Sequence, residues 1–400
     1  MASPKIRFYF FLPAIVILGG LLRLLFLATP HMDSDQAVTG LMARHILGGE
    51  FPFFFYGQDY CGSIEAYLAS TIFWLFGATR FTLNATICLE SIFFILFIYF
   101  LARLIFGVKT GLLAALYTAL PSYYLIFHSV LARAAYIEIP IIGVLLLLVG
   151  YKIIYCQSER KGLFFILGFL SGLGIWTHFL IIFFLPPIFL LWLFRDPLLW
   201  KKPGVFFVFA GLVLGGLPLW AHNTAHPLVT WHYLMGTAGG DEGAWESLKD
   251  FFLFRFPEAL GVKNNDSEKF IIPYLSPAIY LLYLAVFVSL LILRRKGFAG
   301  FFKFRIEQSQ GLDLLILFLF LFPLIFSFSG FAAAHTSRYL QPLFAVLPIL
   351  LAVFTRKLKA FSPILVSAFL ILHLSSNVFG TLTRLPLFSP KELQNFNQAR

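Results

Sequence analysis

Long apolar runs dominate the chain, separated by short basic turns and by two longer polar segments. A helix needs about 20 apolar residues to cross roughly 30 Å of hydrocarbon. On that measure eleven runs qualify: 8–28, 81–101, 110–128, 137–156, 162–177, 179–195, 204–221, 273–293, 312–330, 339–354 and 360–380. The fifth and sixth are short and meet in "GIWTHFL", which reads as a tight turn centred on His178. The pattern predicts an all-α polytopic membrane protein, a single membrane-embedded domain over residues 1–400, with substantial polar loops only at 29–80 and 222–272.

Inside the first of these loops the period changes. After Asp35, "QAVTGLMARHIL" puts Val38, Leu41, Met42 and Ile46 on one helical stripe, with Gln36, Thr39, Arg44 and His45 off it. That spacing predicts a helix lying in the membrane interface. The segment "GSIEAYLASTIFWLFG" (62–77) starts with Glu65 and is barely long enough to cross. If it did cross, the basic "LARLIFGVK" would be moved to the outer side, so it reads as a second interfacial or re-entrant helix. The 222–272 loop mixes glycine, acid and aromatic residues, which predicts short amphipathic helices that either contact the acceptor or act as a lid, or serve equally as a passive connector.

Composition narrows the class. A hydrophobic content of 60%, 12% charged residues and a mean hydropathy of +0.86 exclude a string of soluble domains. The 51 phenylalanines suit helices that face lipid better than a barrel with alternating polar positions. The net charge of +11 is spread in short clusters between apolar runs, so it reports the membrane rather than nucleic acid. With the N-terminus inside, the cytoplasmic turns hold 18 of the 30 Lys and Arg residues and only four acids, while the outer side is net negative. This asymmetry predicts an N-in, C-out orientation. Cys61, Cys88 and Cys156 have no CxxC spacing, so neither a disulfide framework nor a cysteine metal site is expected.

The candidate chemistry lies on the outer side. "HMDSDQAVTG" (31–40) places Asp33 and Asp35 just past the first apolar run. Ser34 or Asp35 could cap the following helix. The two carboxylates could equally serve as a general base, or hold a divalent cation, or both. Arg44, Arg133 and Arg338 are outer-side arginines suited to bidentate phosphate contact, and the last two stand beside span ends. Glu138 is a nearby acid with which Arg133 could pair instead, and His178 could hydrogen-bond phosphate or serve only its turn.

"DSDQAVTGLMARHILGGEFPFFFYGQDYCGSIEAYL" resembles the first outer loop of the GT-C polyprenyl-phosphate-sugar glycosyltransferases, which include the protein O-mannosyltransferases (glycosyltransferase family 39-like) and the lipid A aminoarabinose transferase. "DQA" at 35–37 matches the acidic pair that follows the first span in that family, with Gln36 where Glu is usual. "LARLIFGVKTGLLAALYTALPSYYL", "ARAAYIE", "GFLSGLGIWTHFLIIFFLPPIFLL", "GGLPLWAHN" and "SRYLQPLFAVLPILLA" resemble later family segments in the same order. The lysine that some members place in the first loop to hold donor phosphate has no counterpart here.

The resemblance implies an inverting transfer of a sugar from a polyprenyl-phosphate donor to a lipid, glycan or protein hydroxyl. The expected setting is the outer face of a bacterial inner membrane. It assigns Asp35 as the catalytic acid position, with Asp33 second, and Arg133, Arg338, Arg44 and His178 to the donor phosphate. Glu65, Tyr67, Glu138 and Tyr339 are expected in the substrate cavity, and no cofactor is implied beyond a divalent cation at Asp33 and Asp35. The competing readings are a lipid-linked sugar or solute transporter and an inactive relative. Transporters commonly carry internal repeats and intramembrane charges, whereas this chain shows no repeat and places few ionisable groups well inside predicted spans, among them Arg23, Glu90 and His373.

Overall fold

The computed structural model describes residues 4–27, 32–198, 201–227, 229–230, 232, 243–263, 269–302, 309–334 and 336–382. Helix α1 (Pro4–Leu24) is followed by α2 (Ser34–Leu47) and α3 (Ile64–Phe76), which are short and lie outside the long apolar helices. Next come α4 (Arg80–Phe106), α5 (Val108–Ala119), α6 (Tyr123–His128), α7 (Glu138–Ile154) and α8 (Lys161–Thr177). A 3-10 turn (Phe179–Phe184) leads into α9 (Leu185–Arg195), α10 (Pro203–Gly215) and α11 (Leu217–Ala225). The second polar segment contains α12 (Ala244–Asp250) and α13 (Phe256–Ala259). The chain then continues through α14 (Leu275–Phe302), α15 (Gly311–Ser327), a 3-10 segment (Ser337–Ala345), α16 (Leu347–Phe361) and α17 (Pro363–Leu382).

One element departs from the all-α expectation. Between α2 and α3, β1 (Phe54–Phe55) and β2 (Gln58–Gly62) form an antiparallel ribbon. Gly57 makes the tight connection possible because its φ of 79° is a left-handed value that glycine adopts without a steric penalty.

Three described helices, α4, α14 and α17, are long and apolar enough to cross a membrane, and there are up to five such spans if the bent pairs count. These pairs are α10 with α11, bent by 64°, and the Ser337–Ala345 segment with α16, bent by 51°. Several other apolar runs are interrupted. The run at 110–128 breaks into α5 and α6 around Pro121, which has no N–H to continue the ladder. The run from 162 to 195 breaks at His178, the position where the sequence predicts a turn.

The break after α5 explains the one fully buried arginine among the described residues. Ending a helix leaves carbonyl groups without partners, and Arg23 of α1 supplies donors to two of them. Its Nη2 donates to Thr118 O at 3.2 Å and its Nη1 to Ala119 O at 3.3 Å, with further bonds to Gly19 O and to Ser129 Oγ, both at 3.0 Å. Arg23 therefore pins α1 to the end of α5 and to the loop that leads into α7.

Candidate functional site

The site begins with a helix cap. Asp33 is the N-cap of α2: its Oδ1 accepts the Gln36 N–H at 2.9 Å, and Gln36 Oε1 accepts the Asp33 N–H at 3.3 Å. The sequence placed the cap one or two residues later. Gln36 is 1% exposed, and its Nε2 donates to Asn84 Oδ1 of α4 at 2.8 Å. A neutral side chain suits this position, because its two neighbours are a backbone N–H and an amide oxygen. The buried face of α2 is Gln36, Thr39, Met42 and Ala43, rather than the predicted Val38, Leu41, Met42 and Ile46; Leu41 is exposed. The polar members of that face point at Asn84 and Glu65, which apolar periodicity cannot register.

Two aspartates and two arginines meet at the start of α2. Arg133 forms an ion pair with Asp33, and its guanidinium stacks 4.6 Å from the centre of the Phe127 ring. Arg338 Nη1 lies 4.0 Å from Asp35 Oδ2. Its Nη2 donates to Tyr339 Oη at 3.4 Å. Both pairs are part-exposed, so their value lies in geometry more than in stability. Arg338 is the more accessible arginine and the looser partner.

Glu65, at the start of α3, is 2% exposed rather than solvated. Its Oε1 accepts the Ala134 N–H at 3.1 Å and its Oε2 the Ala135 N–H at 3.0 Å, and Thr39 Oγ1 donates to it at 3.4 Å. Burial pushes this carboxyl up to about 7, against the opposing pull of those donors. Its folded-state pKa is therefore raised, so its contribution to stability is present below the ordinary value of 4.5 and is lost as pH rises through about 7. Thermal melts between pH 4.5 and 7 should show wild type losing stability across this interval and Glu65→Gln staying flatter; parallel profiles would refute this.

An aromatic wall closes the opposite side. The His178 ring lies 5.4 Å from Tyr60, 5.6 Å from Phe331 and 6.2 Å from Tyr339, measured between ring centres. His178 Nδ1 accepts the Leu180 N–H at 3.1 Å, which leaves Nε2 as its donor. Burial, reinforced by the charge of Arg338, lowers its pKa to about 3. It is therefore a neutral donor that caps the next helix, not a cation for phosphate. His222 Nε2 meets Asp59 Oδ1 at 3.2 Å, and Thr230 Oγ1 donates to Asp59 O at 2.7 Å; together they tie the ribbon to the second polar segment. No local sequence signal marks Tyr60, Asn84 or the Asp59–His222 pair as neighbours of the site.

The structure therefore brings together Asp33, Asp35, Arg133, Arg338, Tyr339 and His178. Arg44 is not among them: it is exposed on the far face of α2 and makes no ion pair among the described residues. Tyr67 turns away, its hydroxyl donating to Pro52 O at 3.2 Å. Glu138 is buried at the first turn of α7, where it faces Glu90 and Glu65; the acid paired with Arg133 is Asp33. Each aspartate faces a guanidinium, and among the described residues no three His, Cys, Asp or Glu side chains converge as metal ligands. Two carboxylates already facing guanidiniums are a poor donor set for a divalent cation.

Residues 64–222 match the family model of dolichyl-phosphate-mannose-protein mannosyltransferases. The fold is similar to that of ArnT from Cupriavidus metallidurans in the apo state, with 14% identity, 92% of this chain and 63% of that chain covered and a TM-score of 0.64. For the same protein bound to undecaprenyl phosphate, the values are 13%, 89%, 61% and 0.60. It is also similar to the archaeal oligosaccharyltransferase AglB from Archaeoglobus fulgidus, in complex with an inhibitory peptide and a dolichol-phosphate, at 12% identity, 95% and 55% coverage and a TM-score of 0.55. This chain covers less than two thirds of the length of each. No curated protein matches it by sequence.

Proposed function

We propose, starting from a chain that has the fold of the GT-C membrane glycosyltransferases, that it transfers a sugar from a polyprenyl-phosphate donor to an acceptor hydroxyl, with inversion at the anomeric carbon. The observation that carries this reading is the pairing of two carboxylates with two guanidiniums at the start of α2. The eleven-crossing, N-in, C-out topology that the sequence predicts would set this cluster at the outer face, and a bacterial inner membrane is the setting we propose. The lipid in one ArnT structure, undecaprenyl phosphate, is of the carrier class that would leave in the transfer proposed here.

Asp35 takes the proton of the acceptor hydroxyl as its oxygen bonds to the anomeric carbon. The bond from that carbon to the phosphate oxygen breaks, and its electron pair leaves with polyprenyl phosphate. Negative charge grows on that leaving oxygen, and a guanidinium placed there stabilises the transition state more than the ground state. Arg338 supplies it, being accessible and only loosely held by Asp35. Arg133 orients Asp33, and with it the first turn of α2. The neutral His178 donates from Nε2 to the phosphate or the sugar.

The test is purified protein in proteoliposomes, offered short-chain polyprenyl-phosphate sugars and cell-envelope acceptor extract, with release of polyprenyl phosphate and the configuration of the product followed. Release with inverted configuration supports the reading; its absence with every donor, or retained configuration, overturns it. Arg338→Ala should raise the donor KM by about tenfold or more, the scale of one lost charge-assisted contact, while Arg44→Ala leaves it unchanged. Equal KM values for the two variants would remove Arg338 from the donor site. EDTA should leave turnover intact; a loss restored by added Mg2+ or Mn2+ would return a divalent cation to the aspartates.

A further inference from the structure

We propose that Glu65 is a positioning residue: it holds the left-handed Ala134–Ala135 turn that presents Arg133 to Asp33. The inference rests on the transferase reading for its activity arm and on geometry for the rest.

Ala134 and Ala135 have φ values of 62° and 75°. Two successive residues with a Cβ in this region meet steric opposition that glycine would not, so the conformation needs an external support. The two N–H groups of such a turn point to the same side and form a concavity suited to an anion. Glu65 fills it, one carboxylate oxygen to each N–H, at 3.1 and 3.0 Å. An alanine here leaves both N–H groups without acceptors. The residue directly before the turn is Arg133, whose side chain reaches Asp33 and stacks on Phe127. Thr39 of α2 also donates to Glu65, so one carboxylate touches both the helix that carries the aspartates and the loop that carries the arginine. Glu65 sits behind the cluster, 2% exposed, with Glu90, Glu138 and Cys61 as its other titratable neighbours. The resemblance assigns it to the substrate cavity; the positioning role is the one these contacts support.

The experiment compares wild type, Glu65→Ala, Glu65→Gln and the triple variant Glu65→Ala/Ala134→Gly/Ala135→Gly. Hydrogen–deuterium exchange over residues 132–136 and the donor and acceptor KM values are measured on each. Glu65→Ala should lose protection across the turn and lower kcat/KM for the donor by roughly tenfold to a hundredfold, the scale of a misplaced binding group, with the acceptor KM unchanged. Glu65→Gln, which keeps the volume and one acceptor oxygen, should lie between. Glycine adopts the turn unaided, so the triple variant should recover donor kcat/KM to within about fivefold of wild type. Turnover that stays lost in a folded triple variant would overturn the positioning role, as would unchanged exchange in Glu65→Ala and Glu65→Gln. The exchange arm needs no donor, so failure of the transferase reading would show as absent turnover in wild type while the turn still answers to Glu65.

Discussion

Asp35→Asn is expected to lower the turnover of polyprenyl-phosphate sugar by about 10²- to 10⁴-fold, the usual contribution of a general base. The substitution keeps the shape of the side chain and the bond from Thr39 Oγ1 to the Asp35 backbone carbonyl at 3.0 Å, so α2 keeps its first turn. It removes the proton acceptor and the charge facing Arg338. Asp33→Asn is the informative contrast. Asparagine caps helices about as well as aspartate, so the capping box with Gln36 survives while the ion pair to Arg133 is lost. That variant should lose donor affinity more than kcat. Single-turnover rates and KM values on both variants, with folding checked by thermal melts, separate the two. If Asp35→Asn stays within tenfold of wild type while Asp33→Asn collapses, the base is Asp33 and the assignment is reversed.

The largest expected effect on stability is at the crossing of α8 and α10. A Cβ placed on Gly168 would run into the carbonyl oxygen of Val208, and one on Gly172 into that of Leu212. From the other helix, Gly211 faces the carbonyl of Phe165 and Gly215 that of Phe169. The two helices therefore touch through their main chains along a reciprocal small-xxx-small seam, where packing in lipid gains from close approach because there is little hydrophobic force between helices. The obstacle is backbone on both sides, so it cannot move aside as a flexible side chain would. Gly168→Val should destabilise the bundle by more than about 3 kcal/mol, beyond the usual range for overpacking, and leave little monodisperse protein. Gly162→Ala on the same helix meets no atom within 4 Å and serves as the control. Fluorescence size-exclusion melts of the two variants check this, and a Gly168→Val midpoint within a few degrees of wild type would refute the seam.

Much of the scaffold was legible from the chain alone because its signals are local. The long apolar runs, the His178 break and the acid at the start of α2 each depend on residues within a turn or two of one another, whereas the run read as one crossing at 110–128 is broken around Pro121. Hydropathy, capping and proline chemistry act at that range. The ribbon at 54–62 escaped notice because it is a few residues long and sits between helices. The GxxxG spacing at 168–172 and 211–215 lies in the sequence, yet it gained a meaning only from the packed pair, in which the two stripes face one another.

The site divides along the same line. Asp33, Asp35, Arg133 and Arg338 were readable as residue types at one face, and so was the likeness of their segments to a glycosyltransferase fold. Which acid caps α2, which arginine pairs with which acid, and the bonds from Glu65 to the Ala134–Ala135 turn are visible only in the tertiary structure. The Glu65 bonds span 69 and 70 residues of sequence. Contacts of that separation depend on how helices pack, and an isolated segment carries no periodicity that records its distant partner. For this protein the sequence by itself determined a helical chain of long apolar runs with Asp33 and Asp35 just past the first of them. The packing of α2, α3 and the 133–135 turn decided which of those acids pair with an arginine and which holds the backbone, because a buried carboxylate takes whatever donors the fold brings within reach.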